Sequence, residues 1–129
     1  MKGDDLSERF LDFAARIVAL VAAMPNDRPS RHISGQILRC GTSIGANYEE
    51  ARGAESLQDF IHKVGISWKE ARETKYWLRL IQKAKLLPPD RIASLIQEAG
   101  EIAAILAKSQ LTAKNRKDKE TDSIASEES

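Results

Sequence analysis

Leu6, Phe10, Phe13, Ile17, Leu20 and Met24 recur at alternating steps of four and three residues. A helix turns about 100° per residue, so such steps return to one face. A strand would need its apolar residues at every second position. The rhythm returns three more times. Ile33, Ile37, Cys40, Ile44, Tyr48 and Ala51 form the second stripe. Phe60, Val64, Ser67, Ala71, Thr74, Leu78 and Ile81 form the third, and Ile92, Leu95, Ala99, Ile102 and Leu106 the fourth. Each stripe needs a partner to cover it. Leu11, Ala14, Val18 and Val21 widen the first into the broad face of a buried bundle helix.

The breaks agree with the stripes. Asp5 with Glu8 reads as a capping box at the first helix, and "MPNDRPS" ends that helix through Pro25 and Pro29. Gly53 closes the second helix, which spans about 30–51. Ser56 with Asp59 opens the third, over about 57–86, and "LLPPD" separates it from the fourth, over about 90–109. Four long helices with short connections predict an all-α, antiparallel, up-down-up-down four-helix bundle over residues 1–112. Residues 113–129 hold one large apolar residue, Ile124, among many charges, and this composition predicts a disordered tail.

The second helix carries a less usual line. Gln36, Arg39, Ser43, Asn47 and Glu50 follow the same rhythm immediately beside the apolar stripe. A solvated flank and an enclosed polar layer are both compatible with that spacing. The third helix favours the layer, because it offers the small Ser67, Ala71 and Thr74, with Glu70 alongside. The expectation is a buried network joining Arg39 to Glu70 or Glu50, with Gln36, Ser43, Asn47 and Ser67 meeting the remaining donors and acceptors. Such a network fixes register or assembly more than it adds stability.

These residues also carry a family resemblance. The series Gln36-x-x-Arg39-x-x-x-Ser43-Ile44-x-x-Asn47-x-x-Glu50, then Asp59-Phe60, then Ser67-x-x-Glu70, resembles the small bacterial four-helix-bundle proteins linked to intervening sequences of 23S ribosomal RNA. Accessory proteins of diversity-generating retroelements look like relatives of that group. The similarity covers roughly Phe10 to Leu106 and is firmest from Gln36 to Glu70. Two positions depart from the family pattern: Ala51 and Ile66 stand where glycine is usual, with Gly65 one place earlier. The resemblance implies a homo-oligomer, a pentameric ring, and no catalytic activity. In the retroelement relatives it implies binding to a reverse transcriptase and to nucleic acid.

Three further surfaces stand out. Gly41 and Gly45 lie one turn apart, with Leu38 nearby. Glycine inside a helix costs about 1 kcal/mol against alanine, so the pair suggests close approach by another helix, with a subunit contact as the functional reading and local tolerance as the plain one. Lys69, Arg72, Lys75, Tyr76, Arg79 and Lys83 form the one basic band with an aromatic within it. Phosphate contact with base stacking on Tyr76 is one reading of it. A solvated face is the other, favoured by a net charge of only +1. Trp68 and Trp77 lie beside the third stripe, as intrachain packing or as subunit anchors.

Catalytic and metal chemistry find little support. Asp59-x-x-His62 is the one approach to a bundle metal motif, and no second such motif accompanies it. Ser43 and Ser67 have no histidine spaced to activate them. Cys40 is the single cysteine, which rules out an internal disulfide. No export signal and no membrane span is expected, so the expected location is cytoplasmic. The expected role is a non-enzymatic scaffold, without cofactor or metal, binding itself and either RNA, DNA or an RNA-handling enzyme. The alternative is a protein-binding adaptor with no nucleic-acid contact.

Overall fold

The computed structural model describes residues 2–128. Four helices follow in order: α1 (Lys2–Ala22), α2 (Arg28–Arg52), α3 (Leu57–Lys83) and α4 (Pro89–Glu128). No strand occurs among the described residues. Asp27 caps α2 by accepting from the Ser30 backbone N–H at 2.9 Å, with Pro29 in the first turn. That bond holds the Asp27 carboxyl below the usual carboxylate range. Ser56 caps α3 in the same way, through the Asp59 N–H at 3.0 Å. Asp5 is not a cap. Helix α1 already begins at Lys2, which leaves Asp5 in its first turn, where a carboxylate still favours the helix N-terminus.

Each apolar stripe supplies the core. Phe10, Phe13, Ile17, Ile37, Ile44, Leu78, Ile81, Ile92, Ile102 and Leu106 are fully buried. Contacts between neighbouring helices run in opposite numerical order. Along α2, Arg39, Ile44 and Glu50 meet Glu70, Ser67 and Lys63 of α3. Along α3, Ile61 meets Gln110 and Lys75 meets Gly100 of α4. Helix α1 packs on α2, and its outer edge is clamped to α4. Arg9 donates from Nε and Nη2 to the two Glu98 oxygens at 2.9 and 2.7 Å, and Arg16 donates to Ser94 at 2.8 Å.

The Arg9 hydrogen bonds hold the Glu98 carboxyl below its ordinary value of 4.5. A depressed folded-state pKa contributes stability that is complete above the unfolded value and is lost as pH falls through the folded one. Glu98→Gln is therefore expected to cost about 1–2 kcal/mol near neutral pH. Urea midpoints measured at falling pH should show the gap between variant and parent narrowing below the ordinary carboxylate value. An equal gap in acid would mean that the ion pair is not its source.

Two glycines permit the α1–α2 approach. Gly41 is buried, and a Cβ there would lie 3.0 Å from Cγ1 and Cγ2 of Ile17. A Cβ on Gly45 would lie 3.3 Å from the Phe10 Cβ. The helix that approaches these glycines is α1 of the same chain. Phe10 also meets Tyr48 edge-on, with ring centroids 5.1 Å apart.

Helices α1 and α4 each differ from the sequence reading in one further respect. The widened face of α1 is only half covered: Leu11 is 61% and Val18 51% exposed. Helices α2 and α4 flank the central stripe and leave the outer positions open. The segment expected to be a disordered tail is helical to Glu128. It contains neither glycine nor proline, and lysine, glutamate and alanine favour the helix. Ala113 is the last buried residue among those described, Lys117 is partly buried, and the side chains at 118–127 are exposed.

Candidate functional site

The polar line of α2 meets α3 along one flank of the bundle. The Arg39 guanidinium donates from Nη1 to Glu70 Oε2 at 3.2 Å, and from Nη2 to Glu73. Glu73 also accepts from the Trp77 indole N–H at 3.0 Å. The indole bond, followed by Arg39, holds the Glu73 carboxyl below the usual range, and Glu73 in turn raises the Arg39 pKa. Ser43 donates to the Arg39 carbonyl at 2.6 Å, and Asn47 donates to the Ser43 carbonyl at 2.8 Å. Glu50 pairs with Lys63 at 3.0 Å rather than with Arg39.

Within the chain this line is not enclosed. The Arg39 side chain is 50% exposed, while that of Glu70 is 19% exposed. Gln36, Ser43 and Asn47 are partly buried, and Glu50 is exposed. Arginine is long enough to reach both carboxylates across the rim, so its head stays in water. Only the small polar residues enter the interior. Ser67 donates to the Ile44 carbonyl at 2.7 Å, and Thr74 to the Glu70 carbonyl at 2.7 Å. Arg39→Ala is therefore expected to lower stability by about 0.5–1.5 kcal/mol, well below the roughly 3–5 kcal/mol of a broken enclosed pair. The urea midpoint checks it.

Glu73 is the partner that the sequence reading passed over. It lies three residues after Glu70, on the same side of α3, and that spacing could have found it.

The basic band lies along the outside of α3. Lys69, Arg72, Lys75, Tyr76, Arg79 and Lys83 are all exposed. Among the described residues, none of these five cations forms a salt bridge, whereas Arg9, Arg39, Arg52 and Lys63 all do. Tyr76 is 60% exposed and stands edge-on to Trp77, centroids 5.1 Å apart. The Arg72 guanidinium lies 4.9 Å from the Trp68 ring centre. Trp68 and Trp77 themselves are partly buried against the core. The band thus combines unneutralised charge with an accessible ring, on a rigid helix.

The other candidates separate. Gly41 and Gly45 are occupied by α1, and of that trio Leu38 is the one that is exposed. Leu38, Leu11 and Val18 are exposed apolar residues of α1 and α2, and Leu11 lines an open groove with Ala14, Thr42 and Gly45. Cys40 is buried, and burial pushes its thiol up to about 11, which leaves it inert. His32 stands edge-on to Trp77, centroids 6.1 Å apart, far in sequence from Asp59 and His62. Among the described residues, no group of three or more His, Cys, Asp or Glu is placed to hold a metal ion. Among the described residues, no helix is long and apolar enough to cross a membrane.

Four packed helices with an ion-paired flank and a cationic face that forms no salt bridge among the described residues define a small helical-bundle protein. The chain belongs to the 23S rRNA-intervening sequence protein family, whose model matches residues 5–108. It is also similar to a protein of unknown function from the S23 ribosomal protein family of Bacteroides thetaiotaomicron, known from its crystal structure. The two are 40% identical and superpose with a TM-score of 0.78, over 85% of this chain and 98% of the other. No curated protein matches the chain.

Proposed function

We propose that this protein is a non-enzymatic scaffold of the cytoplasm. In this reading it is an antiparallel up-down-up-down bundle that self-associates, with a pentameric ring implied by the family resemblance, and presents α3 to RNA or DNA. The observation that carries the reading is the α3 face: five cations without carboxylate partners, arranged around an exposed tyrosine. Carboxylates elsewhere on the bundle pair with Arg9, Arg39, Arg52 and Lys63 and leave this face uncompensated. A low net charge does not oppose binding when the charge is segregated, and repetition in a ring would multiply it. The exposed Leu11, Val18 and Leu38 of α1 and α2 support self-association, because exposed apolar side chains gain from being covered.

Fluorescence anisotropy with a labelled single-stranded RNA tests the reading. Five phosphate contacts on a single strand give a salt slope of roughly −3.5, so affinity should fall about 100-fold between 50 and 200 mM salt. Absence of binding at low salt would leave the protein-binding adaptor, whose partner would be sought among RNA-handling enzymes such as a reverse transcriptase.

A further inference from the structure

At the end of the bundle from which α4 projects, all four helices line an open groove of about 780 Å3. Its floor is apolar and includes Leu6, Tyr48, Phe60 and Ile105. Among the described residues, no carboxylate lines it, while Arg52, Lys108 and Arg116 do. Arg52 is already tied to Asp4 and Ser7. Lys108 and Arg116 form no salt bridge among the described residues. An apolar floor under two uncompensated cations calls for an occupant that is acidic and carries an aliphatic side chain.

One segment of this chain has that chemistry. Residues 118–128 carry Asp118, Glu120, Asp122, Glu127 and Glu128 against the single Lys119. Their one large apolar side chain, Ile124, is 56% exposed. The segment cannot serve its own groove. It continues α4 as helix, and Ile124 lies about 12 Å beyond Arg116 along the axis.

We propose that the acidic end of α4 docks in this groove of a second copy of the chain. Ile124 rests on the apolar floor, and the carboxylates face Lys108 and Arg116. Groove and tail share one end of the bundle, so two copies meeting end to end exchange tails reciprocally. That is a closed, isologous two-fold contact. It uses neither the α3 face nor the exposed residues Leu11, Val18 and Leu38, so it stands or falls apart from the scaffold reading.

Light scattering of the full-length chain at low salt tests it. Ile124→Glu, and separately Lys108→Glu with Arg116→Glu, should each give half the mass of the parent while the helical circular dichroism stays unchanged. Mixing full-length Ser109→Cys and Ile124→Cys chains under mild oxidation should give a covalent mixed dimer. Equal masses for parent and variants, or failure of the two cysteine chains to cross-link, would overturn the exchange. RNA affinity should be unchanged in Ile124→Glu, which keeps this outcome distinct from the α3 test.

Discussion

Gly41→Leu is expected to lower the thermal midpoint by roughly 10 °C, because the α1–α2 approach leaves no room at that position. A Cβ alone would stand 3.0 Å from two carbons of Ile17 and 3.3 Å from a third. Leucine adds three more carbons beyond it. Ile17 is fully buried and cannot swing into solvent, so α1 itself must move. Overpacking of this kind costs typically about 1–3 kcal/mol, and a displaced helix lies at the upper end. Phe10 lies on the same face of α1, so its edge-on contact with Tyr48 loosens in the same movement. Gly41→Ala separates sterics from backbone effects. Alanine gains about 1 kcal/mol of helix propensity, which offsets most of a contact that Ile17 must relieve by a few tenths of an ångström. Thermal melts followed by circular dichroism should rank parent and alanine variant close together, with the leucine variant far below. An unchanged midpoint for leucine would mean that α1 is not held against Gly41.

The larger functional effect is expected on α3. Arg72→Glu combined with Arg79→Glu should weaken RNA binding at least about 100-fold at low salt and flatten the salt slope by roughly 1.4, the share of two phosphate contacts. Both side chains are exposed and neither forms a salt bridge among the described residues. Arg72 also lies over the partly buried Trp68 ring, so the helical circular dichroism of the variant is compared with the parent's. Tyr76→Ala should cost about 1–3 kcal/mol of binding with little change in that slope, since stacking on an aromatic ring is not a counterion effect. A matched decrease for Arg9→Glu, at the α1 arginine paired with Glu98, would point to nonspecific attraction instead of a defined face.

The apolar spacing made most of the fold legible. Phe10, Phe13, Ile17 and Leu20 are buried as their steps require, and so is the third stripe from Val64 to Ile81, with Phe60 at its start partly buried. Spacing reports direction around a helix and not depth. It could not tell that Leu11 and Val18 would stay open, because that depends on how far α2 and α4 wrap around α1. The same limit explains Arg39. Its position faces α3, yet a side chain of that length reaches Glu70 and Glu73 from the rim. The glycine pair was legible as a close approach, whereas the identity of the approaching helix required the packing. The C-terminal segment differs from its compositional reading for another reason, with α4 running to Glu128. Few apolar residues leave the side chains at 118–127 exposed, but a segment without glycine or proline and rich in lysine, glutamate and alanine is compatible with continuing α4.

The cationic face is the centre of the functional account, and contact mapping tests it most directly. Ultraviolet cross-linking of the full-length protein to a single-stranded RNA at low salt, read by mass spectrometry of the joined peptides, should place the nucleotide on Tyr76 and its neighbours between Lys69 and Lys83. Cross-links gathered instead at the C-terminal lysines, Lys114 to Lys119, with none on α3, would contradict it.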